Sequence, residues 1–276
     1  MRQILLTLLL LTVTLFANDA RLDNYPRAQK WEKDANSNAD SAYNLGNVYH
    51  ETIKDYEKAI YWYKKAYSMN KSNDVINNLG LTYKRVKNYT EAIKWYKIGI
   101  NQNDSDCAFN LALLYEEELK EFQNAIKHYE KAISLGNEGA AFNLGILYKN
   151  ELKDYPNAIK YYTKAYEMGQ IGGANGLGYF YEHTLKDTTN AELWYKKAVA
   201  KNNKKAIGNL AKLYKQQNKK ELGSAYMVSL IGNGYTKQKV LTHLKTKWKL
   251  TDSELQKAYK LQLKLDIPKH YRGGIN

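Results

Sequence analysis

The chain has 276 residues, 44% hydrophobic and 25% charged, a composition that suits a soluble protein with a sizeable core. It contains 25 tyrosines, three prolines and a single cysteine, so no disulfide framework can staple it. The net charge of +14 is unevenly placed: residues 1–195 hold 23 Lys+Arg against 24 Asp+Glu, whereas residues 196–276 hold 19 against 4. Such asymmetry bears on partners and solubility rather than on fold.

The chain opens "MRQILLTLLLLTVTLFANDA": one arginine, an apolar run from Ile4 to Phe16, then Ala17 and a polar stretch. This is the layout of a secretory signal peptide over 1–17, and the run is short for a membrane span. Cleavage is expected after Ala17; an uncleaved anchor is the alternative. No cysteine follows the run to carry a bacterial lipid anchor. Residues 18–38 include "YPRAQKWEKDA" (25–35), which is similar to "YPNAIKYYTKA" (155–165), and predict an unpaired helix capping the N-terminal end.

Residues 39–235 repeat. Leu45, Leu79, Leu111, Leu144, Leu177 and Leu210 stand 34, 32, 33, 33 and 33 residues apart, each followed by Gly or Ala and, four residues on, by a tyrosine. A second set, Ala59, Ala92, Ala125, Ala158 and Ala191, is spaced by 33. Four residues after each alanine comes another tyrosine, and three further on a small residue. Spacings of four and seven place each set on one helix face, so every repeat reads as a hairpin of two helices, A and B. The small residues let A and B approach, and the tyrosines are expected to fill the gaps between hairpins. Asp55, Asn88, Asp154 and Asp187 are N-cap residues for helix B, Glu121 is a poor substitute, and Pro156 fits the first helical turn. One hairpin cannot bury its apolar face alone, so neighbours must stack. The sixth repeat is imperfect, because its helix B (221–232) lacks the Ala–Tyr spacing.

Residues 236–276 leave the pattern. In "KQKVLTHLKTKWKL" (237–250), Val240, Leu241, Leu244 and Trp248 share a face, and Thr251 with Glu254 signals a capping box for a further helix. These helices are expected to seal the last repeat. Alternatively the basic face, with Lys237, Lys239, Lys245, Lys247 and Lys249, associates with an anionic membrane or peptidoglycan surface. Nucleic acid, the usual partner of a basic patch, is not expected for an exported chain.

The Leu-Gly-x-x-Tyr phrase, the alanine with an aromatic four residues later and the closing alanine resemble tetratricopeptide and Sel1-like repeats over about 39–235. Four clear repeats carry one residue more between leucine and alanine (Leu45 to Ala59) than repeat 2 (Leu79 to Ala92), a step toward the Sel1-like loop. The resemblance implies an all-α, right-handed solenoid of antiparallel helical hairpins, about six repeats, with C-terminal capping helices. It also implies a bacterial periplasmic or secreted protein that binds a protein or peptide on a groove lined by helix A.

Asn44, Asn78, Asn110, Asn143 and Asn209 each precede the repeat leucine. In the resembled family such asparagines grip the backbone of an extended peptide, since a carboxamide both donates and accepts; the alternative is a tie to the backbone of a neighbouring repeat. Asn47 matches a position of the family's carboxylate clamp, but Tyr43 stands where a lysine belongs, and Leu113 and Glu117 replace basic residues, so capture of a C-terminal carboxylate is not expected. Five residues before the leucines stand Asp40, Asp74, Asp106, Gly139, Gly172 and Lys205; with Lys212 and Lys215 they form a charge gradient that either orients a ligand or marks solvated helix ends.

Enzyme signals are weak. His50, His128, His183, His243 and His270 show no metal-ligand spacing, no cofactor is implied, and Cys107 reads as a small buried residue. "GGANGLG" (172–178) lies within a helix A phrase and fits close packing better than a phosphate loop. "SMNK" (68–71) matches Ser-x-x-Lys without its companion motifs. A β-lactamase-like or cell-wall-fragment hydrolase, associated with cysteine-rich Sel1-like proteins, remains a third reading, although those relatives carry a cysteine pair per repeat.

Overall fold

The computed structural model describes residues 19–275. The expected signal peptide lies outside the described residues. Fifteen α-helices make up the fold, which is an all-α helical-repeat solenoid without a β-strand among the described residues. The described residues form two compact units divided after Asn137, between the third and fourth repeats. None of the described helices is long and apolar enough to cross a membrane.

The first unit holds α1 (Pro26–Asp34) and three hairpins: α2 (Ala39–Asn47) with α3 (Tyr56–Met69), α4 (Asn73–Arg85) with α5 (Tyr89–Asn101), and α6 (Ser105–Leu113) with α7 (Phe122–Ser134). The second holds α8 (Glu138–Asn150) with α9 (Tyr155–Glu167), α10 (Ile171–Phe180) with α11 (Thr188–Ala200), and α12 (Lys204–Gln216) with α13 (Lys220–Ser229). Two further helices follow, α14 (Lys237–Lys247) and α15 (Asp252–Gln262).

The leucine and alanine columns are fully buried in both units. The glycine after the leucine has a specific task. A Cβ on Gly80 would stand 2.4 Å from the ring of Tyr96, and one on Gly178 the same distance from Tyr195. The helix B tyrosine therefore seats on the helix A glycine of its own hairpin, not in the gap between hairpins as the sequence suggested.

The turn from A to B is equally regular. The backbone N–H of the helix B N-cap residue donates to the carbonyl of the helix A tyrosine: Asp55 to Tyr49, Asn88 to Tyr83, Glu121 to Tyr115, Asp154 to Tyr148, Asp187 to Tyr181 and Lys219 to Tyr214. The longer loops add their extra residue before this closure. In three of them helix A ends in a π-helical stretch, Val48–Ile53, Leu114–Leu119 or Tyr181–Leu185. Asp55, Asn88, Asp154 and Asp187 accept N-cap bonds, whereas Glu121 makes none.

Both ends carry the expected helices. At the N-terminal end the Asp19 carboxylate accepts from the Arg21 guanidinium (2.7 Å), Lys58 Nζ (2.6 Å) and the Tyr49 hydroxyl (3.0 Å), which fastens the segment to repeat 1. The bonds from Arg21, and then those from Lys58 and Tyr49, hold its pKa well below the ordinary carboxylate range against the opposing effect of burial. At the other end Val240 and Leu244 of α14 and its C-cap residue Trp248 are buried, and Thr251 and Glu254 form the capping box that starts α15.

Candidate functional site

In the first unit helix A is α2, α4 and α6, and its polar side chains largely satisfy one another. The Asn78 amide donates to Asn47 Oδ1 (3.1 Å) and to the Tyr43 hydroxyl (3.2 Å), while the buried Tyr63 hydroxyl donates to the same Asn47 oxygen (2.7 Å). Burial, and then neighbouring groups, raise the pKa of Tyr63 above the ordinary phenol value. The Asn110 amide donates to Asn77 Oδ1 (2.8 Å), and His50 Nδ1 shares a 2.8 Å bond with Thr82 Oγ1.

A cleft of about 540 Å³ opens between His50, Leu81, Lys84, Tyr89, Glu117 and Glu118. Two of its charges are engaged, Lys84 with Glu117 at 2.9 Å and Glu118 accepting from the Tyr89 hydroxyl at 2.7 Å, while Arg85 and Lys87 on the same wall are exposed. Asp106 accepts from the Asn137 amide (3.0 Å), and Asp40, Asp74 and Asp106 all lie in first helical turns, where the helix dipole favours them.

In the second unit helix A is α8, α10 and α12. The Asn209 amide donates to Asn175 Oδ1 (3.1 Å). Asn78, Asn110 and Asn209 thus tie their helix to the side chains of the preceding repeat, rather than to its backbone; Asn44 and Asn143 are half-buried.

Tyr179 is 48% exposed and its ring stacks on His183, with centroids 4.0 Å apart and planes at 10°. Behind it Glu182 accepts from the buried Tyr195 hydroxyl (2.7 Å). Lys205 and Lys212 are exposed. Lys215 extends toward α14: its Nζ lies 3.4 Å from the Lys247 carbonyl oxygen and 4.9 Å from the centre of the Trp248 ring.

The apolar face of α14 is spent on the cap, and four of its predicted surface lysines, Lys239, Lys245, Lys247 and Lys249, stay exposed while Lys237 is half-buried. Among these, Lys245 pairs with Asp252 (2.8 Å) and Lys239 lies over the Tyr235 ring (5.5 Å).

Among the described residues no group of His, Cys, Asp and Glu could hold a metal ion. The Ser68 hydroxyl donates to the Lys65 carbonyl of its own helix (2.7 Å). Burial, reinforced by Asp104, pushes the pKa of the Cys107 thiol far up, which leaves it without thiolate reactivity.

Sequence reasoning missed the acceptors Asn77 and Asn175 and the aromatic shelf of Tyr179 and His183. The acceptors share the position two residues before the repeat leucine, and Tyr179 stands two after it, so both were within reach of the same 33-residue register.

The architecture defines a helical-hairpin repeat protein. Residues 52–132 match the family model described as anaphase-promoting complex, cyclosome, subunit 3, which is tetratricopeptide-like, and residues 139–170 and 172–214 match the Sel1 repeat. The two models thus place tetratricopeptide-like repeats in the first unit and Sel1 repeats in the second. Such repeats generally serve as scaffolds for protein partners.

Among solved structures it is similar to c5321, a protective antigen of uropathogenic Escherichia coli with an SLR fold, at 21% identity and a TM-score of 0.56. That match covers 90% of this chain, which spans about 60% of the antigen. A Sel1 repeat protein from Oxalobacter formigenes is 25% identical over 82% of this chain and 88% of its own, with a TM-score of 0.48. PilF of Pseudomonas aeruginosa is 17% identical over 84% and 99%, with a TM-score of 0.51. The antigen and PilF share the fold alone with this chain. No curated protein matches it in sequence.

Proposed function

We propose that the chain is an exported, non-catalytic scaffold of the bacterial cell envelope that binds a protein or peptide along its helix A faces. The observation that carries this reading is the exposed Tyr179 on helix A of repeat 5, an aromatic side chain stacked from one side only, at the same register position as the exposed Lys212 of repeat 6. Exposed aromatics next to cations are the usual anchors of a protein interface. The asparagine column supports it in part. Asn110 and Asn209 spend an amide N–H on the preceding repeat, which fixes the side chain and leaves its carbonyl oxygen free to accept from a peptide backbone.

Two measurements test the reading. Envelope proteins retained by the immobilised wild-type protein should be lost with Tyr179→Ser and kept with Tyr61→Ser, an exposed tyrosine of helix B; equal retention by all three would refute a helix A ligand face. For export, the N-terminus of the protein recovered from the periplasm of a Gram-negative host should read from Asn18. A product found in the cytoplasm and starting at Met1 would refute it.

A further inference from the structure

The last repeat and its cap bring together cations that no carboxylate in the described chain neutralises. Lys212 and Lys215 lie one turn apart on α12, and Lys247 ends α14. The 3.4 Å approach of Lys215 Nζ to the Lys247 carbonyl joins the two helices at one corner, over the Trp248 ring. His243, one turn back on α14, has its ring 6.3 Å from that of Trp248. Its pKa is pushed down by burial first and then by Lys212, Lys215 and Lys247, so all three ammonium groups act on one imidazole. The neighbouring Lys245 and Lys220 are paired instead, with Asp252 and Glu254. Lys204 and Lys205 add two more cations in the first turn of α12, where the helix dipole disfavours positive charge. The stacked Tyr179 and His183 stand on helix A one repeat earlier.

We infer that this corner of the second unit docks an acidic segment of a protein partner, with carboxylates meeting Lys212, Lys215 and Lys247 and an adjoining apolar side chain lying on the Tyr179–His183 shelf. The inference rests on the scaffold reading and supplies the chemistry of its partner. Charge complementarity selects the occupant, since lysines gathered at one corner without a carboxylate partner favour an anionic ligand. A bilayer is the poorer occupant. An interfacial helix enters a membrane through its apolar face, and that of α14 is buried, with Leu244 inaccessible and Trp248 only 5% exposed.

The test uses the purified protein and two fluorescent dodecapeptides, one of glutamates interrupted by a phenylalanine and one with glutamine at every glutamate, together with phosphatidylglycerol vesicles. The acidic peptide should bind about tenfold or more tightly than its glutamine counterpart and weaken steeply with salt. Lys212→Gln combined with Lys247→Gln should weaken it about tenfold, whereas the charge-matched pair Lys260→Gln and Lys264→Gln on and just after α15 should change it less than about twofold. Unchanged melting of all variants establishes that they are folded.

Equal losses in both pairs, or vesicle binding without peptide binding, would overturn the site in favour of diffuse attraction or a surface. Binding insensitive to Lys212 and Lys247 but abolished by Tyr179→Ser would overturn the acidic specificity and leave the scaffold reading standing. Wild-type binding by every variant would overturn both.

Discussion

The two units use one repeat for different ends. In the first, the central polar side chains of helix A satisfy one another: Asn47 serves Tyr63 and Asn78 together, Asn77 serves Asn110, and Lys84 is neutralised by Glu117. In the second, the equivalent faces carry an exposed tyrosine and lysines without carboxylate partners. Polar groups that satisfy each other add to stability and have little left for a ligand, while unpaired ones do the opposite. A repeat array can thus divide structural and binding duties without changing its fold.

The contrast can be broken most directly by Asn47→Ala. Losing that oxygen leaves the buried Tyr63 hydroxyl and the Asn78 amide short of a partner, at a cost of about 2–3 kcal/mol. Tyr179→Ser, on an exposed side chain, should cost less than about 0.5 kcal/mol. Urea unfolding of both variants decides the matter, and comparable losses would erase the distinction between the units.

Next in size is the latch at the start of the described fold. Asp19 has a folded pKa below its unfolded value of about 4, so its contribution is complete above that pH and is lost as the pH falls below it. Asp19→Asn should cost about 2 kcal/mol at pH 7 and flatten the acid side of the stability profile below pH 4. A parallel downward shift at every pH would show that the charge is not what matters.

The smallest effect sharpens the contrast from the other side. Lys205→Glu replaces a cation with an anion in the first turn of α12 and should stabilise the fold by about 0.5 kcal/mol through the helix dipole. It should also weaken the acidic peptide. A gain in stability with unchanged binding would place Lys205 outside the ligand surface, and a loss of stability would contradict its assignment to an unfavourable helix end.

The repeat was legible in the sequence because burial makes the same demand every 33 residues. Leu45, Ala59 and their counterparts meet the same environment each time, and Asp55, Asn88, Asp154 and Asp187 cap the same helix end. The asparagines were legible as a column, but their partners were not. The position that supplies an acceptor reads Tyr43, Asn77, Phe109, Phe142, Asn175 and Gly208, so the bond is made where chemistry permits and replaced by packing elsewhere. Asn78 reaches the Tyr43 hydroxyl and also Asn47, four residues further along helix A. The seat of Tyr96 on Gly80 was hidden for another reason: spacing places both residues on inward faces without saying which hairpin they share. Tyr179 escaped notice because exposure depends on what fails to cover a side chain, and no periodic pattern records that.

Hydrogen exchange of the protein with and without the acidic dodecapeptide locates the ligand face on the two units. Added protection is expected in 171–185, 204–216 and 237–247, with 39–53 and 73–85 unchanged. Protection concentrated in 39–53 and 73–85 would contradict it.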